Sequence, residues 1–282
     1  MNQARMPNSA RDQGAQPQFT AALLLEKSVD FSFSQLRAEL KRIAPQAVLG
    51  DWRGPISDPA RDPGIEMLSL DDEKLSVLII DAPAPAAILQ PGPFANPLWP
   101  KAEQEAAHHK AHIVIVGLQD PIDREAALTK ARAVTLLAAA IAPLVSAIGV
   151  TWVDGANLVS AATFARVTQN IGQPGANAVP FWVRVMLAQG PGSRSERLMK
   201  AGTLGLQIFG LRELEYAAAP LDPGFIMQHA YSTSEYLLSS GKRLADGETI
   251  GVEGQERFTI AHADAGDFVS FPVARLSLQT RK

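Results

Sequence analysis

Three of the five histidines, His108, His109 and His112, fall within five positions of one another. On a helix, His108 and His112 would share a face at i and i+4, the spacing that zinc sites use. The residues that follow, Ile113-Val114-Ile115-Val116, are a β-branched run that reads as a buried strand. If that strand already includes His109, then His109 and His112 point to opposite faces and do not chelate together. His112 then reads as a hydrogen-bonded interior residue at the strand entrance. A metal site would need a further ligand, for which Asp154, His229, Glu213 and His262 qualify by type alone.

A second pair of groups is Glu213 and Glu215, on one face of an extended segment with Leu214 and Tyr216 opposite. Carboxylates about 7 Å apart can act as acid and base or hold a cation. The expectation is plainer: the wet face of an amphipathic strand. Asp246-Gly247 is a turn dipeptide. His229 lies close to Ser232, Thr233 and Ser234, but nothing resembles the Gly-x-Ser-x-Gly elbow that exposes a nucleophile. Gly202, Gly205 and Gly210 are followed by neither Gly-Lys-Ser/Thr nor a helix start, so they form no phosphate loop. No cofactor is expected. Trp99, within Pro97-Leu98-Trp99-Pro100, reads equally as an anchor for a partner surface or as a pin holding its loop to the core.

The elements around these residues alternate between strand and helix. A buried strand over Phe19–Leu25 leads to a helix from about Ser34 to Ala44, with Leu36, Leu40 and Ile43 inward and Pro45 after it. Gly50–Gly64 reads as a loop, Lys74–Asp81 as a strand, and Ala82–Pro100 as a Pro-rich crossing between lobes. After the strand at His112–Val116, Asp120-Pro121 reads as a helix cap, with the helix running to Ile148 and Gly149. Strands are expected at Val150–Val153, at Phe181–Ala188 and through Leu204, Leu206 and Ile208. Asp222-Pro223 caps a second long helix ending at Gly241, and a meander follows over Thr249–Val252, Arg257–Ala261 and Phe268–Leu278. The fold class expected is α+β: a largely antiparallel sheet with helices packed on one face, two related α/β-sandwich lobes being the alternative. The division expected is a disordered tail over 1–18, an N-terminal lobe over 19–100 and a C-terminal domain over 101–282.

Composition limits the classes of function. The 282 residues include no cysteine, which removes disulfides, Cys-ligated zinc, iron–sulfur clusters and thiol catalysis. With 26 basic and 29 acidic residues the net charge is −3. The densest cations, Lys41-Arg42 and Lys242-Arg243, fall at expected helix C-termini, so no nucleic-acid face is read. Met1–Gln18 is polar and lacks the apolar core of a secretory signal. Ala133–Val150 is an uncharged run long enough to span a bilayer. Six alanines, Pro143 and a single stripe of larger side chains mark it instead as a buried helix. A cytoplasmic location is expected, with no membrane partner.

Thr203-Leu204-Gly205-Leu206-Gln207-Ile208-Phe209-Gly210-Leu211-Arg212-Glu213-Leu214-Glu215, followed by Leu244-Ala245-Asp246-Gly247-Glu248-Thr249-Ile250-Gly251, resembles the bacterial family called domain of unknown function 4261. The resemblance spans about Leu198 to Leu278, and longer members are similar also at His109-Lys110-Ala111-His112 and Gly149-Val150-Thr151-Trp152. Leu211 stands where members continue with a polar or basic residue. The family has no assigned reaction, so the resemblance implies kinship rather than chemistry. The functional expectation is a non-catalytic protein-binding protein, of immunity or adaptor type, in a bacterial interbacterial-competition (type VI) secretion system. Its partner would be a toxin or a secretion-system component. Trp99, His109, His112, Arg212, Glu213, Glu215 and Asp246 are the candidate binding residues. The alternative is a metal-dependent enzyme built on His109 or His112 with Glu213, Glu215 or Asp246.

Overall fold

β1 (Thr20–Leu25) is a run of six residues, all buried, because it lies between two partners. It pairs antiparallel with β5 (Ala111–Gly117) on one side and β6 (Gly149–Trp152) on the other. The computed structural model describes residues 18–29, 31–51, 65–89, 96–191, 198–251 and 256–279. The expected tail up to residue 17, the loop at 52–64, and residues 90–95 of the Pro-rich crossing lie outside the described residues.

α1 (Phe33–Ile43) starts at a capping box, in which the Ser32 side chain accepts the Gln35 amide and the Gln35 side chain accepts the Ser32 amide. It buries Leu36 and Leu40 and stops before Pro45. β2 (Leu49–Asp51), β3 (Ile65–Leu70) and β4 (Glu73–Ile80) form a meander that joins β5. With β7 (Asn157–Ser160) the first sheet has seven strands in the order β2-β3-β4-β5-β1-β6-β7, every neighbour antiparallel. β4 and β5 are thus neighbours although the expected lobe boundary at residue 100 falls between them. The Pro-rich crossing connects two strands of one sheet. α2 (Ala86–Leu89) lies within it and α3 (Ala102–Ala106) follows it.

The long helix α4 (Arg124–Ile141) differs from expectation at both ends. Its cap is Asp123, whose carboxylate accepts the Ala126 amide, rather than Asp120. It ends at Ile141, short of the expected Ile148, because Pro143 has no N–H to continue the ladder. Among the described residues no helix is long and apolar enough to cross a membrane.

α5 (Ala161–Val167) and α6 (Val179–Trp182) lead into the second sheet. Phe181, expected in a strand, lies in α6 instead, with Pro180 in its first turn. The second sheet comprises β8 (Arg184–Gln189), β9 (Met199–Leu204), β10 (Glu213–Ala219), β11 (Thr249–Gly251), β12 (Arg257–Ala263) and β13 (Val273–Leu278), with α7 (Pro223–Ser240) between β10 and β11. Its order is β11-β12-β13-β10-β9-β8, and β10 runs parallel to β13. α7 carries the expected caps: Asp222 accepts the Gly224 and Phe225 amides, and Gly241 at φ +74° terminates it. Leu206 and Ile208, expected to extend β9, lie outside any strand. Gly205 at φ +130° breaks the extended backbone and Gln207–Phe209 forms one 3-10 turn.

The architecture is α+β with two largely antiparallel sheets around a common core. Leu23 and Leu25 on β1, Val134 and Leu137 on α4, and Tyr216 and Leu276 on the second sheet belong to one continuous apolar cluster. An edge-on contact of Phe19 with Phe209 of the 3-10 turn, 6.3 Å between ring centres, joins the two halves, beside an edge-on contact of Phe19 with Trp152 at 6.4 Å within the first. The opposite face of the first sheet carries a small cluster, Leu24, Ala84, Trp99, Ala102, Ala106 and Leu158, covered by α3. Both halves repeat one connectivity: β1–α1–β2–β3–β4 and β10–α7–β11–β12–β13 are each a strand, a helix and a three-stranded meander. β5 separates β4 from β1 in the first sheet, whereas β13 meets β10 directly in the second.

Candidate functional site

β10 sets Glu213 and Glu215 on one face of the second sheet, while Leu214 and Tyr216 face α7. The face holding the two glutamates is not wet, contrary to expectation. Glu213 is 0% and Glu215 3% exposed. Loops fold over both: the 3-10 turn over Glu213, and the connection between β12 and β13 over Glu215.

The Glu213 carboxylate is fully engaged. One oxygen accepts the Thr203 hydroxyl at 2.6 Å, and the other accepts the Gly205 and Gln207 amides at 2.7 and 3.1 Å. Burial pushes its pKa above the ordinary carboxylate range, and these hydrogen bonds offset part of that rise. Gly205 is required here, since a Cβ would run into the Trp182 carbonyl. The threonine, glycines and glutamate of the Thr203–Glu215 motif are therefore one structural device, a buried carboxylate gathering the donors of a tight turn.

Glu215 is engaged elsewhere. Its Oε1 accepts from Arg275 Nε at 2.8 Å, and its Oε2 accepts the Asp267 amide. Lys200 pairs with Asp267 at 3.0 Å and lies over the Phe268 ring. Lys200, Glu215, Asp267 and Arg275 line a concavity of about 460 Å³ with Pro191, Tyr216, Ala217 and Ala218. Its two cations are matched by two carboxylates. Glu213 and Glu215 share no hydrogen-bond partner and present no free oxygen pair for a common ion.

The histidines are also accounted for. His109 Nδ1 bonds the Ala106 carbonyl at 2.6 Å, and its Nε2 accepts the Ala84 amide at 2.7 Å. Both ring nitrogens are occupied, which fixes the neutral tautomer with the proton on Nδ1. His112, 4% exposed, donates from Nδ1 to the Ala82 carbonyl at 2.7 Å. The His109-Lys110-Ala111-His112 segment thus laces the Pro-rich crossing onto β5. Trp99 serves the same end. It is buried, its Nε1 donates to Glu105 at 2.6 Å, and its ring lies on Gly149, where a Cβ would meet it at 2.6 Å. Between its two readings, pin and partner anchor, this geometry is that of the pin.

Arg212 is half-buried and donates to the Ala263 carbonyl at 3.2 Å. Asp246 is exposed and accepts the His262 amide at 2.6 Å, while Gly247 takes φ +77° in the expected turn. Among the described residues no hydrogen bond or ion pair joins two of these seven candidates. Among the described residues no three His, Asp or Glu side chains form a cluster able to hold a metal ion.

Sequence reasoning missed several polar contacts. Tyr216 and His229 form a pair between β10 and α7, with the hydroxyl 2.7 Å from Nδ1. Burial lowers the His229 pKa and raises that of Tyr216. Arg184 is buried on β8, where desolvation pulls its guanidinium down to about 10. Lys130 of α4 is 2% exposed and pairs with Glu73 at 2.7 Å. Each meets its environment through tertiary contacts that carry no local signal.

The fold and the interior polar set define an α+β protein in which a buried-carboxylate turn organises the second sheet. Residues 202–274 match the family model described as domain of unknown function (DUF4261). The match covers about a quarter of the chain and takes in β10, α7, β11 and β12, with parts of β9 and β13. It is the family whose motifs are legible at Thr203–Glu215 and Leu244–Gly251. The segments at His109–His112 and Gly149–Trp152 lie outside it. No curated protein and no solved structure matches the chain.

Proposed function

We propose that the chain is a non-catalytic protein-binding protein, of immunity or adaptor type, in a bacterial interbacterial-competition system. The observation that carries the non-catalytic part is the occupancy of the polar groups. Glu213, Glu215 and His109, three of the five residues on which the enzyme alternative could draw, have their acceptor or donor atoms taken by this chain's own backbone and side chains. A reactive group must be within hydrogen-bond reach of a substrate, and these are turned onto structure. A binding role needs only a surface of about 800 Å² per partner. The immunity context rests on the resemblance to a bacterial family without an assigned reaction.

The test is affinity capture of the tagged full chain from its native cells, paired with metal analysis of the purified protein. A stoichiometric protein partner is expected, with no bound metal. Stoichiometric zinc or manganese that is lost in a folded His112→Ala variant would overturn the reading in favour of a metal-dependent enzyme.

A further inference from the structure

Four large hydrophobic residues are exposed among the described residues, and three of them lie at one end of the first sheet. The register fixes this. Val48 precedes β2 and its carbonyl accepts the Asp71 amide in the β3–β4 turn. The Leu118 amide, just past β5, donates to the Lys74 carbonyl near the start of β4. Leu49 pairs with Leu70, Leu70 with Glu73, and Leu75 with Gly117, so these connections form one rim. From β2 to β5 the rim is three strand spacings, roughly 14 Å. Val48 is 68%, Leu118 39% and Ile122 94% exposed.

Exposed Ile and Leu side chains are normal singly, whereas convergence in one place marks a contact surface. The polar frame specifies the occupant. Every charged residue in the connections 44–48, 71–72 and 118–123 is an aspartate: Asp71, Asp72, Asp120 and Asp123. Of the nearest cations outside these connections, Arg42 pairs with Glu39, Lys74 lies half-buried on β4, and Arg124 is turned inward onto the Leu237 and Leu238 carbonyls. Apolar side chains framed by carboxylates complement an apolar side chain flanked by lysine or arginine.

We infer that this rim is the docking surface for a protein partner that presents an apolar residue between basic ones, with Ile122, the most exposed of the three, as one of its contacts. The inference rests on the protein-binding reading above and names the surface it would use.

The test places the photo-crosslinker p-benzoylphenylalanine at Ile122 of the full chain, or at the exposed Glu103 of α3 as a control, and irradiates the native cells. The expected result is an adduct at position 122 and none at 103. Its cross-linked peptide should come from another protein and carry lysine or arginine beside apolar residues. Combined Asp72→Lys and Asp120→Lys substitutions should cut the yield about tenfold. The inference is overturned by no adduct at 122, by an adduct to a second copy of this chain or to lipid, or by a yield that charge reversal leaves unchanged. If affinity capture retains a stoichiometric partner while position 122 gives no adduct, the rim is wrong and the binding reading stands. If both fail, both fall.

Discussion

Thr203 gives its hydroxyl proton to Glu213 at 2.6 Å and receives the Leu214 amide at 2.8 Å, so one side chain links the buried carboxylate to its own strand. Removing the carboxylate while leaving its donors in place exposes what the arrangement is worth. Glu213→Ala strands the Thr203 hydroxyl and two backbone amides and should destabilise the fold by about 3 kcal/mol, read as a shift in denaturant midpoint.

The same residue sets a pH dependence. Glu213 has its pKa raised in the folded state, chiefly by burial. Its stabilising contribution is therefore complete below the usual 4.5 and is lost as the pH rises through the folded value. Glu213→Gln keeps an acceptor for the two amides without a charge, and should flatten that part of a melting-temperature profile against pH. Superimposable profiles for the two proteins would refute the assignment.

His229 gives the opposite sign. Burial lowers its folded pKa below the usual 6.5, so its contribution is present above 6.5 and is lost as the pH falls through the folded value. His229→Asn should remove that acid-side loss in the same melting experiment. Tyr216→Phe deletes the hydroxyl bonded to Nδ1 and should cost about 1 kcal/mol near neutral pH.

Two glycines of one motif should respond differently to alanine. Gly210 sits at φ +71° with open space where a Cβ would stand, so Gly210→Ala meets only backbone strain of about 1–2 kcal/mol. Gly205 combines φ +130° with contact against the Trp182 carbonyl. Gly205→Ala should lose clearly more, as judged by urea midpoints; equal losses would place the strain elsewhere.

Trp99→Ala should cost about 3–5 kcal/mol in chemical denaturation, because it empties the small cluster between α3 and the first sheet. Trp99→Phe, which loses the bond to Glu105 and part of the ring on Gly149, should fall between this variant and the native protein.

What was legible in the sequence was local. The caps of α7, the strand character of β1 and β5, the Asp246-Gly247 turn and the family motif all follow from residues adjacent in the chain. The misreadings have a common cause. Leu204, Leu206 and Ile208 keep a period of two across a glycine whose φ of +130° ends the strand, and spacing alone does not report φ. Glu213 and Glu215 carry the polarity of a solvent face, but Thr203, Arg275 and the amides of two loops satisfy them inside. Prolines such as those before residue 100 mark a break in a ladder without saying which strands pair on either side, here β4 with β5. The rim at Val48, Leu118 and Ile122 was invisible for the same reason, since it exists only once β2 to β5 stand side by side.

The central place of β1 has a consequence for synthesis at the ribosome. The strand emerges well before its partners, which follow about 85 and 125 residues later. At about 5–20 residues per second, six apolar-rich positions stay without their ladder for several seconds of elongation. During that interval Thr20–Leu25 is a natural client for a hydrophobic-segment chaperone. Slowing elongation before Ala111 should therefore lower the yield of native protein more than slowing it after Trp152.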